Sequence, residues 1–164
     1  MALTPRPPEW TDTAPVKVSA SREIVASADD IFTALADHEA WAEWFPKVTQ
    51  VERYGDLTEG VGSTRRVHIG KVEVDEEFIL WEPGKVWGFT AVEIRGAPNT
   101  LDSLNERVSI QQLSPDRCRV TYLMAFGPRP RFTWLFARVL RKPLTKNLRA
   151  ALAGLERRLT QPRT

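Results

Sequence analysis

Cysteine is nearly absent from this chain: Cys118 stands alone in 164 residues. An intramolecular disulfide is therefore excluded, which fits a reducing, cytoplasmic compartment. The two histidines, His38 and His68, form no zinc-ligand spacing with that cysteine, so no metal is expected. Apolar runs are too short for a membrane helix. The opening stretch MALTPRPPEWTDTAP lacks the apolar segment of a secretory signal and reads as a flexible lead-in covering residues 1–15. Also missing are a GxGxxG turn after a strand, a phosphate-cradling P-loop and a GxSxG elbow, and no spacing assembles a Ser-His-Asp triad. No cofactor is expected.

Acidic residues are scarce at one end. From Arg129 to Thr164 the basic residues are Arg129, Arg131, Arg138, Arg141, Lys142, Lys146, Arg149, Arg157, Arg158 and Arg163, and Glu156 is the only acid. The net charge of +2 conceals this asymmetry. The hydrophobic share of 42% is enough for one core, and the length fits one domain, taken as residues 16–160.

Periodicity orders the elements. Val16–Val25 alternates as a strand. Ser27 is placed to cap a helix carrying Ile31, Phe32 and Leu35. A short helix over Glu39–Phe45 carries Trp41 and Trp44, and Pro46 ends it. Six strands follow, Lys47–Tyr54, Ser63–Ile69, Val72–Trp81, Val86–Ile94, Leu101–Leu113 and Arg117–Phe126, joined by short turns that imply antiparallel pairing. Leu144, Leu148, Ala151, Leu152, Leu155 and Leu159 then make the apolar stripe of a long helix, with Pro143 expected to kink or interrupt it. The result is an α+β chain whose curved antiparallel sheet of about seven strands wraps a long C-terminal helix.

Glu23-Ile24-Val25 leading into Ala28-Asp29-Asp30-Ile31-Phe32, then Trp41-Ala42-Glu43-Trp44-Phe45-Pro46, Gly60-Val61-Gly62-Ser63-Thr64-Arg65, Trp81-Glu82-Pro83 and Asp116 through Tyr122 follow one another in an order that resembles the helix-grip fold. In particular the chain resembles the polyketide cyclase/dehydrase and lipid-transport superfamily, a START-like (SRPBCC) group. The resemblance covers roughly Val16 to Leu159 and rests on scaffold motifs. It implies a fold and an apolar, lipid-like or polyketide-like ligand, and it names no reaction.

Side chains alternate along a strand, so the apolar register of each strand marks its inner face. Arg65 and Val67 fall inward, as do Val74, Glu76 and Phe78. So do Trp87, Phe89 and Ala91; Leu104, Glu106 and Val108; and Cys118, Val120, Tyr122, Met124 and Phe126. Glu76 and Glu106 break otherwise apolar rows, and Arg65 and Tyr122 join them. A charge in a core must be paired or wet. The four are thus read as a polar cluster in an apolar cavity, with Phe78, Trp87, Phe89 and Met124 as walls and Trp41 and Trp44 at one end, on a mobile lid. The competing reading is that bulges turn the polar groups to solvent and the aromatics merely fill core. Asp75 and Glu77 point away from Glu76 and read as a solvated edge. His38 and His68 read as surface or capping residues, and Cys118 as a small apolar residue.

Three functions fit. The first is a binding or carrier protein for an apolar small molecule. The second is an aromatase/cyclase-type enzyme with Glu76 or Glu106 as base and Tyr122 or Arg65 steadying an enolate oxygen. The third is an interaction module, a homodimer included, that uses the basic helix. The basic segment around Phe132, Trp134 and Phe136 also suits an anionic membrane surface; nucleic acid is disfavoured, since no recognised binding motif accompanies it.

Overall fold

Two local signals in the first helical stretch act as the sequence suggests. Ser27 Oγ accepts the Asp30 amide at 3.1 Å, capping α2 (Ala28–Ala36). Pro46 leaves Phe45 extended, which stops the one-turn helix α3 (Trp41–Trp44). The computed structural model describes residues 1–160; Arg163, counted above, lies outside the described residues. Ahead of α2 come α1 (Trp10–Thr13) and β1 (Val16–Ile24). After α3 come β2 (Val48–Tyr54), β3 (Thr64–Ile69), β4 (Val72–Glu82), β5 (Val86–Arg95), β6 (Leu101–Ser114) and β7 (Arg117–Pro128). The chain then turns through a 3-10 segment (Pro130–Phe132) and a π-helical segment (Leu135–Leu140) into α4 (Arg141–Thr160).

The seven strands form one antiparallel sheet in the order β1-β7-β6-β5-β4-β3-β2. Consecutive strands β2 to β7 pair as neighbours. β1 alone closes a long connection, running from Val16 opposite Phe126 to Ile24 opposite Cys118. α4 lays Leu148, Ala151, Leu152 and Leu155 on the inner face, all buried. Each of the three leucines is worth roughly 1.5–3 kcal/mol of burial. The fold is a helix-grip arrangement with short helices after β1.

Four features depart from the sequence reading. First, residues 1–15 do not hang free. β5 and β6 separate beyond the Thr90–Asn105 pair. The N-terminal strand enters that gap: the Leu3 amide donates to Val92, the Ile94 amide to Met1, and the Thr4 amide to Asp102. Arg107 clasps Asp12 through both terminal nitrogens, at 3.0 and 2.6 Å. A Pro- and Thr-rich composition disguises a segment whose backbone completes a sheet. Second, Asp75 is not a solvated edge residue. It is buried on the outer face between Arg66 (2.7 Å) and Arg95 (2.7 Å), because β4 is an inner strand. Third, Pro143 does not break the helix. It lies in the first turn of α4, where its missing N–H removes one bond to Val139, and the wider π winding falls on the turn next to that loss. Fourth, His38 is buried rather than on the surface.

Candidate functional site

Arg65 on β3 and Glu76 on β4 are direct cross-strand partners. Arg65 Nε donates to Glu76 Oε2 at 2.6 Å, and neither side chain reaches solvent appreciably. Two strands away, the Tyr122 hydroxyl on β7 donates to Glu106 Oε2 on β6. Met124, directly opposite Glu106, is packed against the core but only partly covered. Bulges in β4 occur between Asp75 and Glu76 and between Phe78 and Leu80. They leave Glu76 and Phe78 facing inward.

Aromatic rings enclose the cation. The Arg65 guanidinium carbon is 4.1 Å from the Trp41 ring centroid, 4.9 Å from Trp87, and 5.2 Å from both Phe78 and Phe89. Trp41 stacks on Trp87 at 5.1 Å and donates its Nε1 hydrogen to the Leu35 carbonyl at 2.9 Å. Trp44 lies 4.7 Å from Trp41. Arg65 Nη1 and Nη2, Trp44 Nε1 and Trp87 Nε1 are buried donors that meet no protein acceptor among the described residues. Such atoms carry a large desolvation cost, and they aim hydrogen-bonding capacity at the interior.

The electrostatics follow from burial. Desolvation lifts Glu76 to about 7 against the opposing pull of Arg65. Desolvation, with the Glu76 charge added, lifts Glu106 to about 8. Burial and the nearby Glu106 push Tyr122 well above the usual phenol value. Arg65 thus faces a Glu76 carboxyl held near neutrality, and Glu106, without a cation bonded to it, is raised further. Two carboxyls pushed to different degrees can divide acid and base roles.

All ten residues singled out from the sequence lie on the inner face or on α3, and the polar four meet as two bonded pairs. Trp41 and Trp44 are buried core residues in contact with the cluster. Three neighbours of the cluster were not among those ten. Phe45 packs edge-on to Tyr122 at 5.9 Å. Ala91, opposite Glu76, is small and leaves room beside it. His38 lies against Phe78 at 5.1 Å, with neither ring nitrogen bonded to protein. Burial and the Arg65 charge push it down to about 3, so it is neutral and weakly basic at working pH. His38 follows α2 in a polar joint, and no periodicity there marks it as buried. His68 is half-buried, with Nε2 3.6 Å from Glu52. Cys118 is fully buried, and burial raises its thiol.

A sequence model described as polyketide cyclase / dehydrase and lipid transport matches residues 15–160, nearly the whole described chain. The chain belongs to this family. Uncharacterized proteins of Mycobacterium tuberculosis and Mycobacterium bovis are each 31% identical over 144 residues, covering 85% of this chain and 84% of theirs. Among solved structures, a START superfamily protein from Mycobacterium smegmatis superposes with a TM-score of 0.67 at 18% identity, over 87% of this chain and 96% of that one. The aromatase/cyclase Zhui from a Streptomyces species gives 0.68 at 20% identity, over 88% and 95%. Norcoclaurine synthase from Thalictrum flavum with dopamine and hydroxybenzaldehyde gives 0.69 at 20% identity, over 100% and 98%. At these identities the likeness carries the fold and no residue roles. Membership of this family implies binding of a small hydrophobic ligand. No helix among the described residues is long and apolar enough to cross a membrane.

Proposed function

We propose that the protein binds an aromatic or polyketide-like small molecule between the sheet and its helices, with an oxygen acceptor of the ligand on Arg65. The observation that carries this reading is the guanidinium itself. It is fully buried and stacked on Trp41, and both terminal nitrogens lack a protein acceptor among the described residues. A carbonyl, phenolate or carboxylate oxygen would satisfy them, and the rings around it suit a flat apolar body. Access requires α3 to give way, and α3 is a single turn. Burying about 200 Å² of apolar ligand at ~25 cal/mol per Å² gives about 5 kcal/mol, a dissociation constant on the order of 0.1 mM. A bond to a charged donor adds roughly 1.5–3 kcal/mol, about tenfold to a hundredfold. Tryptophan fluorescence titration with naphthalene and with 2-naphthoate tests this. Tighter binding of the naphthoate, with the preference lost in Arg65→Met, is the expected result. Equal affinity for the two probes would reject it. Native mass spectrometry of protein from its own host then identifies the natural occupant.

A second reading rests on one observation, the raised Glu76 and Glu106 carboxyls beside Tyr122. A base near neutrality and a protonated acid are what enolisation and dehydration need. Deuterium uptake at the α-carbon of an aryl ketone in heavy water, faster with the protein and slowed in Glu106→Gln, would support a cyclase/dehydratase-type enzyme. No rate enhancement leaves binding as the function.

A further inference from the structure

The two halves of α4 treat their cations differently. Near the C-terminal end, one of the two arginines, Arg158, pairs with Asp37 at 2.7 Å and also with Glu43, Glu156 accepts from Arg22 at 2.7 Å, and Arg157 alone pairs with no carboxylate among the described residues. At the other end, Arg141, Lys142, Lys146 and Arg149 pair with no carboxylate among the described residues. With Thr145 they line an open groove of about 440 Å³. Arg138, one turn before, is likewise exposed. The positive field there is uncancelled.

Beside these cations stand two apolar side chains with nothing on them. Trp134 is 63% exposed and Val139 is 50% exposed. Their segment is not loose: Phe136 is buried and packs on Phe126 at 5.3 Å. Trp134, Arg138, Lys142, Lys146 and Arg149 recur every three or four residues, so they share one side of the helical stretch, turned away from Leu148 and Ala151. That side is about 20 Å long at ~1.5 Å per residue.

We infer that this side of the helical stretch docks on an anionic membrane surface, with Lys142, Lys146, Arg141 and Arg149 on lipid phosphates and Trp134 at the headgroup level. Charge complementarity selects the occupant, and the exposed indole selects a membrane over other polyanions. Trp is favoured at the boundary between headgroups and acyl chains, and Val139 gains burial there and gains nothing on a nucleic-acid duplex. A basic side chain near an anionic leaflet is worth about 1 kcal/mol. The inference goes beyond the ligand reading, and vesicle binding is measurable without any ligand.

Sedimentation of the full chain with phosphatidylcholine vesicles, and with vesicles that also contain phosphatidylglycerol, provides the test. Binding to the anionic vesicles alone, weakened by salt, is expected. The combined change Arg141→Gln, Lys142→Gln and Lys146→Gln should weaken it on the order of a hundredfold. All three side chains are exposed, so the melting temperature checks that the variant folds, and Lys146→Gln alone should cost about fivefold. Trp134→Phe should remove a blue shift in emission that the wild-type protein shows on vesicles. No sedimentation with anionic vesicles at low salt overturns the inference. So does full binding by the triple variant, or tight binding to duplex DNA with vesicles ignored. Displacement from vesicles by inorganic phosphate, beyond the effect of chloride at equal ionic strength, also overturns it.

Discussion

The Arg65 guanidinium carbon lies 4.1 Å from the Trp41 ring centroid, so a fully buried cation on β3 is stacked against the one-turn helix α3. The same cation is bonded at Nε to Glu76. It thereby ties β3, the strand next to the β2 edge of the sheet, to α3.

Removing Arg65 should cost much more than its own contacts. Arg65→Met leaves the buried Glu76 without its partner, and breaking such a pair costs about 3–5 kcal/mol. Urea unfolding should report that loss at pH 8. Adding Glu76→Leu to Arg65→Met should recover most of it, since a matched apolar pair carries no uncompensated charge. A loss below about 1 kcal/mol in the single variant would show that water already reaches Glu76.

Stability should depend on pH through three buried groups, with Glu76, held at about 7, and Glu106 acting in the opposite sense to His38. Glu106 is held at about 8, so the native state keeps a proton that the unfolded chain has released above the ordinary value of 4.5. Its contribution is full below 4.5 and is lost as pH rises through 8, at roughly 1 kcal/mol per pH unit. His38 is held at about 3, so its contribution is full above 6.5 and is lost as pH falls toward 3. That amounts to about 2 kcal/mol by pH 5. Between 4.5 and 6.5 the two slopes oppose each other. Glu106→Gln should flatten the alkaline decline, and His38→Gln should flatten the acid one. Urea midpoints across pH 5 to 9 give both slopes. Unchanged slopes in both variants would mean that neither group is desolvated in solution.

Gly154 should not tolerate alanine, although alanine is the better helix former by about 1 kcal/mol. A Cβ there would collide with the Trp44 carbonyl oxygen, where α4 crosses α3. Gly154→Ala must push α3 and α4 apart, and overpacking of this kind costs about 1–3 kcal/mol. A lowered melting temperature together with changed tryptophan fluorescence is expected. A raised melting temperature would show that α3 already moves freely.

Most strands were legible because they alternate buried and more open positions, so Val67, Phe78, Val108 and Val120 mark the inner side, whereas β5 is buried on both faces from Trp87 to Ala91. Arg65, Glu76, Glu106 and Tyr122 were legible for the same reason, as polar residues in apolar rows. Asp75 was not, because its outer face is covered by arginines from β3 and β5 that no local pattern connects to it. His38 and the sheet-completing residues 1–4 were hidden likewise: the burial of His38 and Leu3, and the backbone partners of Met1, Leu3 and Thr4, are supplied by distant parts of the chain.

Residue order alone determined which elements form from β1 onward, how neighbouring strands β2 to β7 pair and which of their side chains face inward, because hydrogen-bonded pleats and helical turns have short, fixed periods. Tertiary structure decided which of the inward polar groups bond to each other, which keep their protons and which donors are left without an acceptor. Those outcomes depend on distance and on exclusion of water in three dimensions. Chain position encodes neither.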